Sequence, residues 1–191
     1  MGRAPSYDAD AAVAAARNLF WSKGFDAVSV SDMEKATGLS RSSIYHAFGS
    51  MRGLFDAAVQ EYLDVVVRPR LRPLLADDVA PGALEEYLNG LAAGIARLGD
   101  DGGPTGCLLV ATAGGTLGDD VAVREVIAAY HLELRTAIVA GVRARHPDDD
   151  HDAVTTRALS VTGAVVAAMT LARVERDQAV RLLDVTADTL A

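Results

Sequence analysis

Between Asp8 and Lys23 the apolar residues fall at Val13, Ala16, Leu19 and Phe20, the three- and four-residue spacing of one helical face, and Gly24 follows where a C-terminal cap belongs. The next stretch, "VSVSDMEKATG", offers Ser29 or Ser31 as an N-cap, sets Asp32 and Glu34 near the positive helix end, and stops at Gly38. Only Leu39 and a capping Ser40 separate it from "RSSIYHAF", which predicts a second short helix. Two short helices across a glycine-containing turn form a helix-turn-helix, whose second helix can enter a DNA major groove. With the first helix they make a three-helix head of about fifty residues.

The pattern beyond the head stays helical. "SMRGLFDAAVQEYLDVVV", from Ser50 to Val67, carries Leu54, Phe55, Ala58, Tyr62, Val65 and Val66 on or near one side. Pro69 and Pro73 should disrupt its continuation, since proline lacks the helix donor. Pro81 suits the first turn of a helix reaching about Leu98, and "GDDGGPTG" reads as a loop. A glycine-interrupted helical segment runs from Cys107 to about Leu117. Asp119 and Asp120 then open a long helix striped by Val123, Ile127, Tyr130, Leu134, Ile138 and Val142. After the acidic loop "RHPDDDHD", two last helices occupy about Asp152–Arg173 and Arg176–Leu190. The fold class is all-α, with about nine helices: a head over residues 1–49 and a helical body over residues 50–191.

Composition changes this picture little. Half of the 191 residues are apolar and only 5% aromatic, which favours close-packed helices. A single cysteine rules out an internal disulfide and fits a reducing compartment. The N-terminus is interrupted by Asp8, Asp10 and Arg17, unlike a signal peptide, and the longest uncharged run, Gly102 to Gly118, is glycine-rich and a poor membrane span. A cytoplasmic protein without a membrane partner is expected. Charge matters more through its distribution than its sum. Residues 1–50 carry five basic and five acidic groups, whereas residues 51–191 carry 13 and 21 and hold all of the net −8. A neutral head can dock on phosphates if its cations and backbone donors converge on one face.

"LFWSKGFDAVSVSDMEKATGLSRSSIYHAFGSMRGLF" resembles the N-terminal domain of the TetR family of bacterial one-component transcriptional repressors. The matching features are Gly24–Phe25, Ser29, Gly38, Ile44–Tyr45, Phe48 and Leu54, over roughly residues 8–55. The resemblance implies a ligand-responsive repressor that binds a palindromic double-stranded operator as a homodimer and lets go when a small-molecule effector enters the body. Where the family often carries a lysine at the start of helix four this chain has Met51, Ala47 replaces a common histidine, and Glu34 stands where a small residue is usual.

The residues assign themselves to three sites on this reading. At the DNA face, Arg41 suits a guanine edge, Ser42 and Ser43 a base or phosphate at close approach, Tyr45 a phosphate, and His46 base or backbone. Ser29 and Ser31 sit at a helix start whose free amides suit a phosphate, and Arg52 is a further candidate cation. A largely apolar effector would lie among Tyr62, Tyr87, Leu91, Cys107, Val110, Ala111, Gly114, Tyr130, His131 and Leu134. A face of small residues, Ser160, Gly163, Ala164, Ala167 and Ala168, suits close helix approach in a dimer. No cofactor or metal is called for; the His146–Asp152 stretch reads as a solvated acidic loop. Two rival functions remain: a helix-turn-helix that binds protein, and an enzyme pairing Cys107 with His131 as nucleophile and base.

Overall fold

The computed structural model describes residues 9–97 and 103–190. Every element in them is helical. The first three are α1 (Ala9–Lys23), α2 (Val30–Thr37) and α3 (Arg41–Phe48). Gly24 and Gly38 both take positive φ, 80° and 70°, where only glycine bends the chain without a Cβ penalty. The Gly38 amide caps α2 by donating to the Glu34 carbonyl, and Ser40 starts α3 by accepting from the Ser43 amide. Ser29, not Ser31, is the N-cap of α2; it closes a reciprocal capping box with Asp32. Asp8, Leu98 and the Gly99–Gly102 part of the loop, which the pattern assigned to a helix start, a helix end and a turn, lie outside the described residues.

The head's interior is built from Phe20, Met33, Ile44 and Leu54, none of them exposed. Phe20 and Phe25 stack at 5.7 Å, and both meet Phe55 edge-on at 5.3 and 5.2 Å, so the end of α1 is welded to α4 (Met51–Tyr62). Burying each such ring contributes on the order of 2 kcal/mol, and the edge-on contacts add to it.

After α4 the sequence expectation needs correction. Pro69 and Pro73 do not break the path. A π-helical turn over Leu63–Val67 follows α4 directly, with the Arg68 amide reaching five residues back to the Leu63 carbonyl. The short α5 (Arg68–Leu71) and a 3-10 turn over Arg72–Leu75 then continue it. Each proline sits in the first turn of its own segment, where its missing donor has no partner to lose. The wide π turn thus shifts the register of hydrogen bonds so that both prolines fit.

The body is completed by α6 (Ala83–Arg97), α7 (Leu108–Ala113), a 3-10 turn over Thr116–Asp119, α8 (Val121–Arg145), α9 (His151–Leu171) and α10 (Arg176–Asp188). Counting the α4–α5 path as one, nine helices lie among the described residues. α10 packs on α6 and α9, and α8 on α9. A Cβ on Gly141 would lie 2.8 Å from both Leu74 and Leu84, so α8 needs glycine there to approach its neighbours. α9 is long and apolar enough to cross a membrane by length and composition, at mean hydropathy 1.4. Here it packs between α8 and α10, burying Val154, Val161 and Val165 while Leu159, Gly163 and Ala167 stay on an open face.

Candidate nucleic-acid interface and internal cavity

α3 turns Ile44 into the head core and packs the half-buried Phe48 against it, leaving Arg41, Ser42, Tyr45 and His46 exposed. The Arg41 guanidinium meets no carboxylate among the described residues and lies 5.5 Å from the centre of the Tyr45 ring, a cation–π contact one turn along. That contact orders both side chains and leaves the guanidinium donors outward for an external acceptor. Ser40, Ser42 and Ser43 form a hydroxyl cluster, with Ser40 Oγ at 2.9 Å from Ser42 Oγ and 3.0 Å from Ser43 Oγ. Ser43 is half-buried, so Ser42 is the more available of the pair.

At the start of α2 the Ser29 hydroxyl accepts from the Asp32 amide at 3.1 Å, and Asp32 Oδ2 accepts from the Ser29 amide at 3.2 Å. The Ser29 hydroxyl also donates to Asp32 Oδ2 at 2.7 Å, and this bond first, then that from the Ser29 amide, with Lys23 at 3.6 Å, holds the Asp32 carboxyl below its usual range. A phosphate approaching this helix end meets a carboxylate already in place. Ser31 lies exposed in the first turn beside it.

Glu34 is the residue whose role the sequence did not disclose. Its Oε1 accepts the Arg41 backbone N–H at 2.6 Å, so a side chain of α2 caps α3 and ties the two helices of the motif together. The charge lies at the positive end of the exposed helix, where it is favourable for folding.

Arg52, the further candidate cation, is engaged by carboxylates of the body. It makes a two-pronged pair with Asp120, 2.8 and 3.1 Å, and a further bond to Asp56 at 2.8 Å. These contacts raise the Arg52 pKa and hold Asp120, which also caps α8 through the Val123 amide, down to about 2. Arg52 therefore braces the first turn of α4 against the start of α8. Met51, beside it, is half-buried and packs against the core.

Inside the body, Tyr62, Tyr87, Leu91, Cys107 and Tyr130 come together around one cavity. The other five residues expected there do not line it. Leu134 is fully buried in the core, His131 is exposed, Gly114 is exposed at the end of α7, and Val110 and Ala111 are half-buried on α7 away from the opening. His131 follows Tyr130 by one residue, hence by about 100° of helix rotation. Cys107 Sγ instead lies 3.9 Å from the Tyr130 hydroxyl, so the Cys107–His131 pair that catalysis would require is not made. Burial, reinforced by Cys107, pushes the Tyr62 and Tyr130 phenols up, and burial does the same to Tyr87. All three stay neutral hydrogen-bonding groups.

The sequence missed two of the cavity's polar walls, Trp21 from α1 and Arg70 from α5. Trp21 packs edge-on against Tyr62 at 4.8 Å, and Arg173 at the end of α9 donates to the Trp21 carbonyl at 3.0 Å. The cavity has a volume of about 70 Å³, enough for a few waters.

On the last helices, Ser160, Gly163 and Ala167 are exposed and Ala164 is half-buried, all on α9. Ala168 is fully buried inside the protomer and leaves the list of surface candidates, again because one residue turns the helix by about 100°. Leu159, two-thirds exposed, joins the open face, and a Cβ on Gly163 would meet nothing within 4 Å.

Residues 12–58 match the model of the family described as bacterial regulatory proteins, tetR family. The chain is 35% identical over 147 residues to the HTH-type transcriptional repressor BdcR of Escherichia coli (strain K12), covering 76% of this chain and 71% of that protein. It superposes with TM-score 0.80 and 27% identity, over 98% of both chains, on a cysteine-substituted form of the regulator CifR complexed with 26-base-pair operator DNA. A TetR regulator from Chloroflexus aurantiacus J-10-FL gives TM-score 0.70 at 28% identity, over 94% of this chain and 89% of that one.

Proposed function

The chain belongs to the tetR family of bacterial regulatory proteins, and from that premise we propose a repressor that reads operator DNA with α3 and is released by an effector in the cavity. It is a DNA-binding transcriptional regulator by family. The observation that carries the specific reading is the exposed α3 face, with Arg41 paired with no carboxylate among the described residues and lying over Tyr45. On it Arg41 reads a guanine edge, Ser42 and His46 supplement it, and Tyr45 and Ser43 serve the backbone. The head spans residues 1–49 and the body 50–191, with a cytoplasmic location following from the DNA partner.

Two heads are needed for a palindrome, so the unit is a homodimer. The open face of α9, with Leu159, Ser160, Gly163 and Ala167, supports the pairing surface. Gly163 meets nothing that explains a glycine within its own protomer, which fits a helix approaching from outside. The regulator has no catalytic role in this reading.

The test is selection of duplexes from a genomic pool, followed by titration of the best site at several salt concentrations. A two-fold symmetric site is expected, with affinity falling linearly against log salt as phosphate contacts require. Arg41→Ala should cost about 5- to 150-fold on that site, the equivalent of about 1–3 kcal/mol for a lost base contact. No enriched site, or an affinity indifferent to salt, overturns the proposal and leaves a protein partner for the helix-turn-helix.

A further inference from the structure

The cavity's walls say which chemical class of effector belongs in it, granted the reading of that cavity as the effector site. Arg70 is the one charged side chain among its lining residues, and no Asp or Glu lines it among the described residues. Arg70 is exposed at the edge and donates to the Val66 carbonyl one turn back, which holds it beside the opening. Its positive charge favours the ionised forms of Tyr62 and Tyr87, though burial keeps both phenols neutral. Among the described lining residues, one cation beside neutral phenols favours negative charge.

Trp21 supplies the second, independent observation. Only 8% of it is exposed, and its indole Nε1 is buried with no hydrogen-bond partner among the described residues. A sealed donor of this kind is unfavourable and gains from any acceptor brought within reach. Its backbone carbonyl accepts from Arg173 and its ring packs edge-on against Tyr62, so the indole is held at the cavity wall. The remaining walls, Leu91, Ile95, Val165 and Met169, are apolar. At about 70 Å³ the enclosed space is smaller than the ~150 Å³ that takes a benzene in a sealed cavity, so a ring seated here extends toward the opening beside Arg70.

We infer that the effector is a small hydrophobic carboxylic acid, its carboxylate drawn to Arg70, its apolar body against Leu91 and Met169, and an oxygen accepting the Trp21 N–H. Because Trp21 belongs to α1, such a ligand touches the DNA-binding head directly. Any preference of the acid for one placement of Trp21 then appears, by linkage, as a change in DNA affinity.

Trp21 is the only tryptophan in the chain, so its fluorescence reports the site. Sodium benzoate, phenylacetate and salicylate would be titrated against the full-length protein beside benzamide and benzyl alcohol, with operator release followed in parallel. The acids should shift the emission saturably and release DNA, at least tenfold more tightly than the neutral analogues. Arg70→Gln, at an exposed position, should abolish that preference without altering the melting temperature. Trp21→Phe, followed by thermal shift, should bind the acids several-fold more weakly. Neutral analogues that bind and release DNA as well as the acids overturn the carboxylate assignment while leaving the effector site standing. Saturable acid binding at Arg70 with no effect on DNA overturns the effector reading instead. Binding by neither series at millimolar concentration overturns the inference.

Discussion

The Glu34 cap invites the sharpest test of how this head is built, because one carboxylate serves folding and faces DNA. Its oxygen accepts the Arg41 N–H at 2.6 Å. Removing a charged cap at a partly exposed helix start costs about 1 kcal/mol. For a chain of this length that corresponds to a fall in Tm of about 2–4 °C. Glu34→Ala should show the full loss, and Glu34→Gln, which keeps the acceptor but not the charge, a smaller one. On DNA the sign reverses. A negative group at the positive end of the presented helix is worth about 0.3–1 kcal/mol against an approaching phosphate. Both variants should therefore bind nonspecific duplex about two- to fivefold more tightly. The slope against log salt should not change, since no cation has been added or lost. Differential scanning fluorimetry and anisotropy titration on a scrambled duplex read the two effects. An unchanged Tm for Glu34→Ala would refute the cap. Weaker binding by both variants would refute the electrostatic reasoning and mean that Glu34 accepts from a base, as carboxylates do from cytosine.

Gly106 has φ of 71°, and a Cβ there would lie 2.3 Å from the Met169 carbonyl oxygen. Gly106→Ala should therefore lose at least about 2 kcal/mol, from left-handed strain and the forced shift of α9, seen as a Tm lower by about 4 °C or more; an unchanged melt would refute the close approach. Asp120, held at about 2 chiefly by Arg52, stabilises the fold above its ordinary range near 3.8, and the stabilisation is lost as pH falls through 2. The Tm gap between the wild type and Asp120→Asn, which can still cap α8, should be open at pH 5 and close on acidification toward pH 2; a gap independent of pH would refute the Arg52 pairing.

The head was legible because its signals are local. Gly24, Gly38, Ser40 and the spacing of Ala16 and Phe20 each act within a turn or two, and each is where the pattern put it. The cavity was half legible. Tyr62, Tyr87, Leu91, Cys107 and Tyr130 were found because aromatic and apolar residues on facing stripes tend to converge. Periodicity cannot tell a stripe that closes into core from one that stops short. Leu134 lies one turn beyond Tyr130 on the same face and is fully packed. His131 and Ala168 failed by a single residue of helix rotation. The Arg52 pairing was hidden for another reason: its partner Asp120 is 68 residues away, and only the fold brings them together. Trp21 and Arg70 escaped because each belonged to a segment already given another role, a head helix and a proline break.

Those last two residues change how the seam between head and body should be understood. The head coheres through apolar packing: Phe20, Met33, Ile44 and Leu54 are fully buried and shared by α1 to α4. Beyond α4 the apolar core runs on into the body, with α7 packed on α1 and α4, and a set of polar links joins the two parts as well. Asp26 accepts from the Thr116 amide and hydroxyl, Arg52 pairs with Asp120, and Arg173 donates to the Trp21 and Ser22 carbonyls. Partly exposed ionic and hydrogen-bonded links of this kind are individually weak and can exchange partners with water. A close-packed core cannot deform so cheaply. A ligand against Trp21 and Tyr62 therefore meets α1 and α4, two helices that wall the cavity and share a core with the recognition helix. The response that conserves packing is rotation of the head as a rigid unit, with the polar links giving way first. On the proposed reading, weakening those links, rather than loosening the head's interior, is the route by which occupancy of the cavity would reach Arg41.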